Sequence, residues 1–269
     1  MPHLKDDLDT LLMDPTALAV YGKYITNRAS AARGDDIGNL NKLIMKLVAP
    51  VPELAKWPGG VPHHVAKTDR GWISPIFGLL LCPQDRVERY MADPEKFCLD
   101  VRTNIEIVTA DDFPMFLYDQ NQVQGDDPLA GLLRGVLLLM IFKALFTGPS
   151  SALSGIEDKT SGRAPWAVTY KMTRVEPRHI VYAAVLARHI LSSQSAWSRK
   201  DINFVMPVFY KRLVDCFKIP SFSQDILAWY DMQVFGTART QSGAQDTQPR
   251  ADSIAGKIAA RIAAQSESA

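Results

Sequence analysis

An apolar segment at the centre of the chain constrains the fold more than any other feature. Residues 129–146 are apolar almost all round a helical axis. Asp127-Pro128 before the segment is a helix-start signal, because an N-cap carboxylate precedes a proline whose missing N–H has no partner in the first turn. Thr147-Gly148-Pro149 after it is a stop signal. The segment therefore predicts a helix buried at the centre of a bundle.

Capping residues and apolar periodicity predict further helices on both sides of this segment. They span 15–31, 39–49, 176–192, 207–217 and 223–235. The first is expected to end at Gly34 and to bury one stripe, formed by Leu18, Tyr21, Gly22, Ile25 and Ala29. The fold class expected is all-α or α-dominated, an irregular helical bundle with a buried central helix and long loops.

The remaining segments give weaker signals. We expect an irregular path over 51–75, a strand or one helical turn over 76–82 and a helix over 85–90. Extended chain is expected over 104–108, a loop over 150–165 and extended chain again over 166–175. Ser198 and Asp201 resemble a capping box.

Composition divides the chain of 269 residues into one folded domain and two flexible ends. With 47% hydrophobic residues, most of the chain is expected to fold. Residues 1–9 are predicted to be a flexible N-terminus and 10–236 the helical domain. Residues 237–253 contain no large apolar side chain, so 237–269 is predicted to be a disordered tail. Ile254, Ile258 and Ile262 within it predict a short amphipathic helix over 254–264.

The chain is expected to act inside the cell. Three acids among the first nine residues exclude a secretory signal, and the longest apolar run, 135–142, is far shorter than the roughly 20 residues that cross a bilayer. Three widely spaced cysteines, Cys82, Cys98 and Cys216, fit a reducing compartment. Cytoplasm and nucleus are not distinguished.

Ordered sequence segments covering most of residues 14–236 carry a family resemblance. They are 14–24, Asp69-Arg70-Gly71, 79–83, 113–118, 127–134, 146–151, 172–175 and 229–235. In them the chain resembles a family of uncharacterised proteins that is expanded in mushroom-forming basidiomycete fungi. The resemblance implies no activity, no cofactor and no catalytic residue.

Opposite charges are concentrated in two regions of the chain. Residues 85–128 contain 11 acids and four bases, a net charge of −7, whereas residues 159–200 contain eight bases and one acid, a net charge of +7. The basic region also contains Trp166, Tyr170, Tyr182 and Trp197, and such interleaving is typical of surfaces that bind phosphates and stack bases. Alternatively, the two regions neutralise each other within the fold and the aromatic residues belong to the core.

The function that this pattern favours is a non-enzymatic binding module. Its partner is expected to be a protein or a nucleic acid, self-association is a further alternative, and no membrane partner is expected. The residues predicted to bind are Arg163, Lys171, Arg174, Arg178, Tyr182, Arg188, His189, Arg199 and Lys200. The overall pI of about 7.7 favours the neutralising interpretation over a nucleic-acid domain.

The alternative function is an enzyme of unrecognised type, with a pocket near Ser150, His179 and His189. Ser150 lacks the Gly-x-Ser-x-Gly context of a nucleophile elbow. A zinc site formed by His63, His64, Cys82 and Cys98 is not expected either, because the cysteines are 16 residues apart. No cofactor and no metal is predicted.

Overall fold

The computed structural model describes residues 14–55, 57–125, 127–153 and 165–236, and this part of the chain is α-dominated, as predicted. Ten α-helices lie in it: α1 (Pro15–Val48), α2 (Pro75–Leu81), α3 (Val87–Ala92), α4 (Pro94–Arg102), α5 (Val136–Phe146), α6 (Pro149–Ala152), α7 (Trp166–Thr169), α8 (Pro177–Leu191), α9 (Met206–Cys216) and α10 (Pro220–Phe235). Short 3-10 turns connect several of them, at 52–54, 67–69, 71–73, 84–86 and 115–117. The predictions for 1–9, 237–269 and Arg163 lie outside the described residues.

Helix α8 is buried along most of its length. Eleven of its fifteen residues are buried, and it contacts α1, α5 and α9. Three alanines, Ala183, Ala184 and Ala187, let these neighbours approach closely on several sides. At the start of the helix, where Pro177 is the first residue, Glu176 and His179 form a reciprocal capping box. The predicted helix over 176–192 is therefore confirmed, and it lies at the centre of the bundle.

The segment 129–146 is helical only in its second half. Helix α5 begins at Val136, because Gly131 (φ +75°) and Leu133 (φ +62°) turn the chain before it. Residues 131–135 run beside 117–119 and form backbone hydrogen bonds with them, such as Gly135 N to Leu117 O at 3.1 Å. Leu137, Leu138, Ile141 and Phe142 are buried, so the predicted core position is correct. The start at Asp127-Pro128 is wrong, since a Leu132–Tyr118 bridge replaces the helix.

Helix α1 is longer than predicted. A single helix of 34 residues replaces the two predicted over 15–31 and 39–49, and it passes through Gly34. A glycine inside a helix costs only about 1 kcal/mol. The turn that follows Gly34 is held to α8 by contacts such as the hydrogen bond from the Tyr182 hydroxyl to Asp36, at 2.7 Å. The predicted burial is also wrong: burial begins at Leu40, and the stripe from Leu18 to Ala29 is exposed.

Other local predictions are correct only in part. Helix α2 (Pro75–Leu81) matches the helical alternative for 76–82, whereas 104–108 and 166–175 contain no strand. The helix over 94–102 was not predicted, although Asp93-Pro94 is an Asp-Pro start signal and Asp93 caps it. Ser198 and Asp201 are not a capping box. Lys200–Asp201 pairs instead with Phe204–Val205 in an antiparallel hairpin, whose Asp201 points into the protein.

The close contact at Gly135 generates a stability prediction. A Cβ atom there would overlap the carbonyl oxygen of Phe116, which is backbone and cannot move aside. We expect Gly135→Ala to lower the free energy of unfolding by about 2–4 kcal/mol. The measurement is denaturation in urea followed by circular dichroism.

Gly34→Ala is the matched control, because nothing lies within 4 Å of a Cβ at this helical position. It should raise the free energy of unfolding by about 0.5–1 kcal/mol through helix propensity. Equal effects of the two substitutions would contradict the packing described for Gly135.

Candidate functional site

The residues predicted to form one basic face do not lie together. Lys171, Arg174 and Arg178 are exposed near the start of α8, whereas Arg199 and Lys200 are exposed beyond its end. The helix between the two groups is about 22 Å long and buried. The exposed cations therefore form two separate groups, and binding by either group remains a prediction.

Three of the predicted binding residues are wholly or partly inside the protein. Arg188 is 1% exposed and His189 is 0% exposed, so their prediction as surface residues is wrong. Both lie on α8, which is covered by neighbouring helices, and helical periodicity alone did not indicate that burial. Tyr182 is half-buried, and its hydroxyl donates to Asp36.

Arg188 and His189 belong to a polar cluster around the C-terminal end of α8, which we call the α8 end cluster. Its members are Lys67, Arg70, Arg188, His189 and Asp201. The last carbonyl groups of a helix have no intrahelical partner, and burying them without one is costly. The cluster therefore occupies a position where the fold requires hydrogen-bond donors.

Lys67 and Arg70 supply these donors from the 3-10 turns that precede α2. The Lys67 ammonium donates to the carbonyls of His189 (2.6 Å) and Ser192, and the Arg70 guanidinium donates to the carbonyl of Ile190 (3.2 Å). Gly71 follows with φ +64° and lies against the Ser192–Ser193 backbone, an approach that a side chain would obstruct. The two cations thus cap a buried helix end.

A lysine in such a place resembles a catalytic amine, but its contacts indicate a structural role. Burial, and then the charge of Arg70, lower the pKa of Lys67 to about 7. Lysines with near-neutral pKa values are typical of general bases and Schiff-base sites. Here the Lys67 amine is surrounded by backbone carbonyls of 189–192, which orient it towards α8.

The Arg188 guanidinium is neutralised by a carboxylate from the hairpin. Arg188 Nη1 donates to Asp201 Oδ2 at 2.8 Å, and the guanidinium lies 4.3 Å from the centre of the Phe204 ring. Both charged side chains are almost completely buried. This ion pair joins the central helix to the hairpin.

The buried ion pair should show strong coupling when one partner is removed. We expect Arg188→Met to lower the free energy of unfolding by about 3–5 kcal/mol, because it leaves the Asp201 carboxylate unpaired in the interior. The double variant Arg188→Met/Asp201→Val should recover a large part of this loss, which urea denaturation of the single and double variants measures. Additive losses would show that the two side chains are not coupled.

His189 is the least satisfied member of the cluster. Neither ring nitrogen has a hydrogen-bond partner among the described residues, and the ring lies 5.2 Å from that of Trp197. Burial, and then the charge of Lys67, lower the pKa of His189 to about 4; Arg188 and Arg33 act in the same direction and Asp201 opposes them. The imidazole is therefore neutral at physiological pH.

The lowered pKa of His189 predicts acid sensitivity. Between pH 6.5 and about pH 4 the unfolded chain binds a proton at this residue and the folded protein does not, so stability falls as the pH falls. The loss over this interval is on the order of 3 kcal/mol. His189→Leu should remove that part of the pH dependence, measured as the difference in unfolding free energy between variant and wild type at each pH. Parallel pH profiles would contradict this assignment.

The enzyme alternative placed Ser150, His179 and His189 at one pocket, but the two histidines are separated. They lie ten residues apart on α8, about 15 Å along its axis. The Nδ1 atom of His179 accepts the Glu176 backbone N–H at 3.2 Å, and its ring packs on Phe146. Burial lowers the pKa of His179, which fits a neutral capping residue.

An open cleft of about 390 Å³ lies elsewhere, between the 122–134 segment and the first turns of α10. Arg134 lies in it and donates to Asp225 (2.5 Å) and Gln122 (2.9 Å), and its guanidinium is 5.7 Å from the Trp229 ring centre. The principal charges of the cleft thus satisfy each other. Within the described residues, no group of three histidine, cysteine or acidic side chains is placed to hold a metal ion.

The largest feature that sequence reasoning misjudged is the exposed half of α1. Its large apolar side chains are between 44% and 63% exposed: Leu18, Val20, Tyr21, Tyr24 and Ile25. We call the stripe Leu18, Gly22, Ile25 and Ala29 the free face of α1. Eighteen residues make five helical turns, so this stripe lies directly in line with Asp36, Leu40, Leu43 and Leu47. The same face is buried in one half of the helix and uncovered in the other.

Hydropathy and comparison with known proteins add three findings. Over the ranges that the structure describes, no helix is both long enough and apolar enough to pass through a bilayer. No curated protein and no solved structure matches the chain. A family model matches residues 27–235, which include the α8 end cluster and the second half of α1 but not the first turns of α1. The chain therefore belongs to the family of unknown function DUF6698.

Proposed function

We propose that this protein is a non-enzymatic interaction module, and that its contact surface is the free face of α1 with the neighbouring Tyr21. The observation that supports this proposal is the exposure of Leu18, Tyr21 and Ile25, which lie within about 60° of one another around the helix axis. Val20 and Tyr24 are also exposed but point to other sides of the helix. Exposed apolar patches of this kind are typical of protein-binding surfaces. A partner helix laid along the stripe would meet residues at i, i+4, i+7 and i+11, the usual pattern for helix recognition.

A protein partner is supported better than a nucleic acid. The α8 end cluster uses four of the chain's charged groups inside the fold, and Arg86 is engaged by Glu106 and Asp112 within the acidic region. Lys171, Arg174 and Arg178, with the exposed ring pair Trp166–Tyr170, remain available at one end of α8. Arg199 and Lys200 remain available beyond the other end. Three cations at one end of a buried helix form a small patch for a polyanion.

The cellular setting also belongs to this proposal. Cys82 and Cys98 are free and buried and Cys216 is free, as expected of a protein in a reducing compartment. We propose an intracellular location on this basis, and the expansion of the family in mushroom-forming fungi remains an inference from the sequence resemblance.

Charge substitution on the free face tests the proposed function. Ile25→Asp places a carboxylate on the face, and Asn27→Asp, on the opposite side of the same helix, is the matched control. Proteins captured from a native extract by wild-type protein are purified, and their affinity for each variant is measured by calorimetry. We expect Ile25→Asp to weaken binding about 30-fold or more, as for a central apolar contact, and Asn27→Asp to leave it unchanged.

Salt dependence distinguishes the two partner classes. An apolar contact should change little with ionic strength, whereas nucleic-acid binding should weaken steeply and depend on Lys171 and Arg174. Binding that survives Ile25→Asp but is lost in Lys171→Glu/Arg174→Glu would overturn the proposed use of α1.

A further inference from the structure

The exposed half of α1 presents an apolar stripe that nothing in the described part of the chain covers. About 17 residues, 15–31, precede the point where the helix contacts the body of the protein, and they extend for about 26 Å. Helices of this length are marginal in water, and this one contains Gly22, Thr26, Asn27 and two tyrosines, which are poor helix formers. Packing of the apolar stripe against another surface is the usual source of the missing stability.

The spacing of the free face is that of a coiled-coil seam. Leu18, Gly22, Ile25 and Ala29 are separated by four, three and four residues, as the core positions of a heptad repeat are. Two of the four are large and two are small. Large and small side chains alternate along the stripe, so a matching surface must place small side chains opposite the large ones.

The stripe is complementary to itself when two copies run in opposite directions. With Leu18 of one copy opposite Ala29 of the other, Gly22 comes opposite Ile25, so each large side chain meets a small one in every layer. The same register brings Asp14, which caps its own helix, towards Arg33 of the other copy, whose guanidinium lies over its own Trp197 ring. In a parallel pair, Gly22 would meet Gly22 and Ala29 would meet Ala29, which would leave two layers almost empty.

Charges along the segment are compatible with this arrangement. Between Asp14 and Asp35 the chain has no acid, and Lys23, Arg28 and Arg33 are its cations. Arg28 and Tyr21 both flank the stripe on the same side, so an antiparallel pair places each arginine near the tyrosine of the other copy, where a cation–π contact is favourable. A two-fold axis near residues 23 and 24 makes both contacts twice.

From these observations we infer that the free face of α1 binds a second copy of this chain, as an antiparallel helix pair in the Leu18–Ala29 register. The inference rests on the proposed function and names its partner. The apolar surface of the exposed segment amounts to roughly several hundred Å² per copy, at the low end for specific interfaces. We expect such a small contact to give a reversible dimer, with a dissociation constant on the order of micromolar.

Sedimentation equilibrium of the full chain tests the association. We expect a monomer–dimer equilibrium for wild type and for Asn27→Asp, and a shift of at least about 30-fold towards monomer for Ile25→Asp. A chain that stays monomeric at about 100 micromolar, well above the expected dissociation constant, overturns the inference. If it is monomeric and residues 15–31 are nevertheless protected from hydrogen exchange, the chain's own terminal segments cover the face, which also overturns it.

Cysteine cross-linking tests the register. Leu18→Cys and Ala29→Cys are made separately in a Cys216→Ser background, since the remaining cysteines are buried. Mixed and oxidised, the two variants should form a disulfide-linked heterodimer, and each alone should form little covalent dimer, because disulfides require Cα atoms within about 7 Å. Efficient cross-linking of each variant alone indicates a parallel pair and overturns the register.

The two proposals fail differently. A monomeric protein that binds a captured partner, and loses it in Ile25→Asp, refutes the second copy but keeps the interaction module. A protein whose mass and partner binding are both unaffected by Ile25→Asp refutes both.

Discussion

The architecture depends on supplying hydrogen-bond donors to the last carbonyl groups of a helix that ends inside the protein. Helix α8 is surrounded by other helices, so its last carbonyl groups cannot be satisfied by bulk water. Lys67 and Arg70 satisfy them from a separate part of the chain, about 120 residues earlier. This requirement explains why the segment before α2 forms tight 3-10 turns and why Gly71 lies against the α8 end. Lys67 and Arg70, whose residue types are usually found at the surface, are therefore used within the fold.

The opposite charges along the sequence are only partly neutralised by ion pairs within the fold. Asp111 of the acidic region pairs with Arg212, and Asp201 pairs with Arg188. Within the acidic region, Arg86 and Arg89 bind Glu106. These pairs lie within the acidic region or join one region to a residue outside both, so they do not join the two regions to each other. The cations at 171, 174, 178, 199 and 200 remain exposed, and their use in binding stays a prediction.

Prediction from sequence succeeded where local chemistry determines the structure. The Glu176-Pro177 start of α8, the glycine stop at Gly236 and the apolar character of 136–146 all act over a few residues, and each is confirmed. It failed where distant contacts decide. The apolar residues on both sides of Arg188 indicate a buried helix, but they do not indicate that the arginine itself is enclosed with a carboxylate from a distant hairpin. Nothing near Leu18 indicates that its amphipathic stripe extends beyond the domain, because the pattern is the same for a covered and an uncovered face.

Prediction of the α8 end cluster also succeeded for local features and failed for distant contacts. Arg188 and His189 were found by their type and spacing but assigned to the surface, whereas Lys67, Arg70 and Asp201 were missed. Lys67 and Arg70 lie in irregular chain without periodicity, and Asp201 was assigned to a helix cap. Only the tertiary structure brings these three residues to the end of α8. Their roles depend on contacts across 13 to 125 residues of sequence, which no local pattern encodes.

Gly34 and Gly38 lie at the junction between the buried and exposed halves of α1, one helical turn apart and on the side away from the core. Side chains shield the backbone hydrogen bonds of a helix from water, and these two positions provide none. On the inner side of the same turn, the Tyr182–Asp36 hydrogen bond and the contact of Arg33 with the Trp197 ring hold the helix to the body of the protein. The direction in which the projecting half leaves the body is therefore set by these inner contacts, and the outer side of the junction leaves room for a docked molecule to approach the helix backbone.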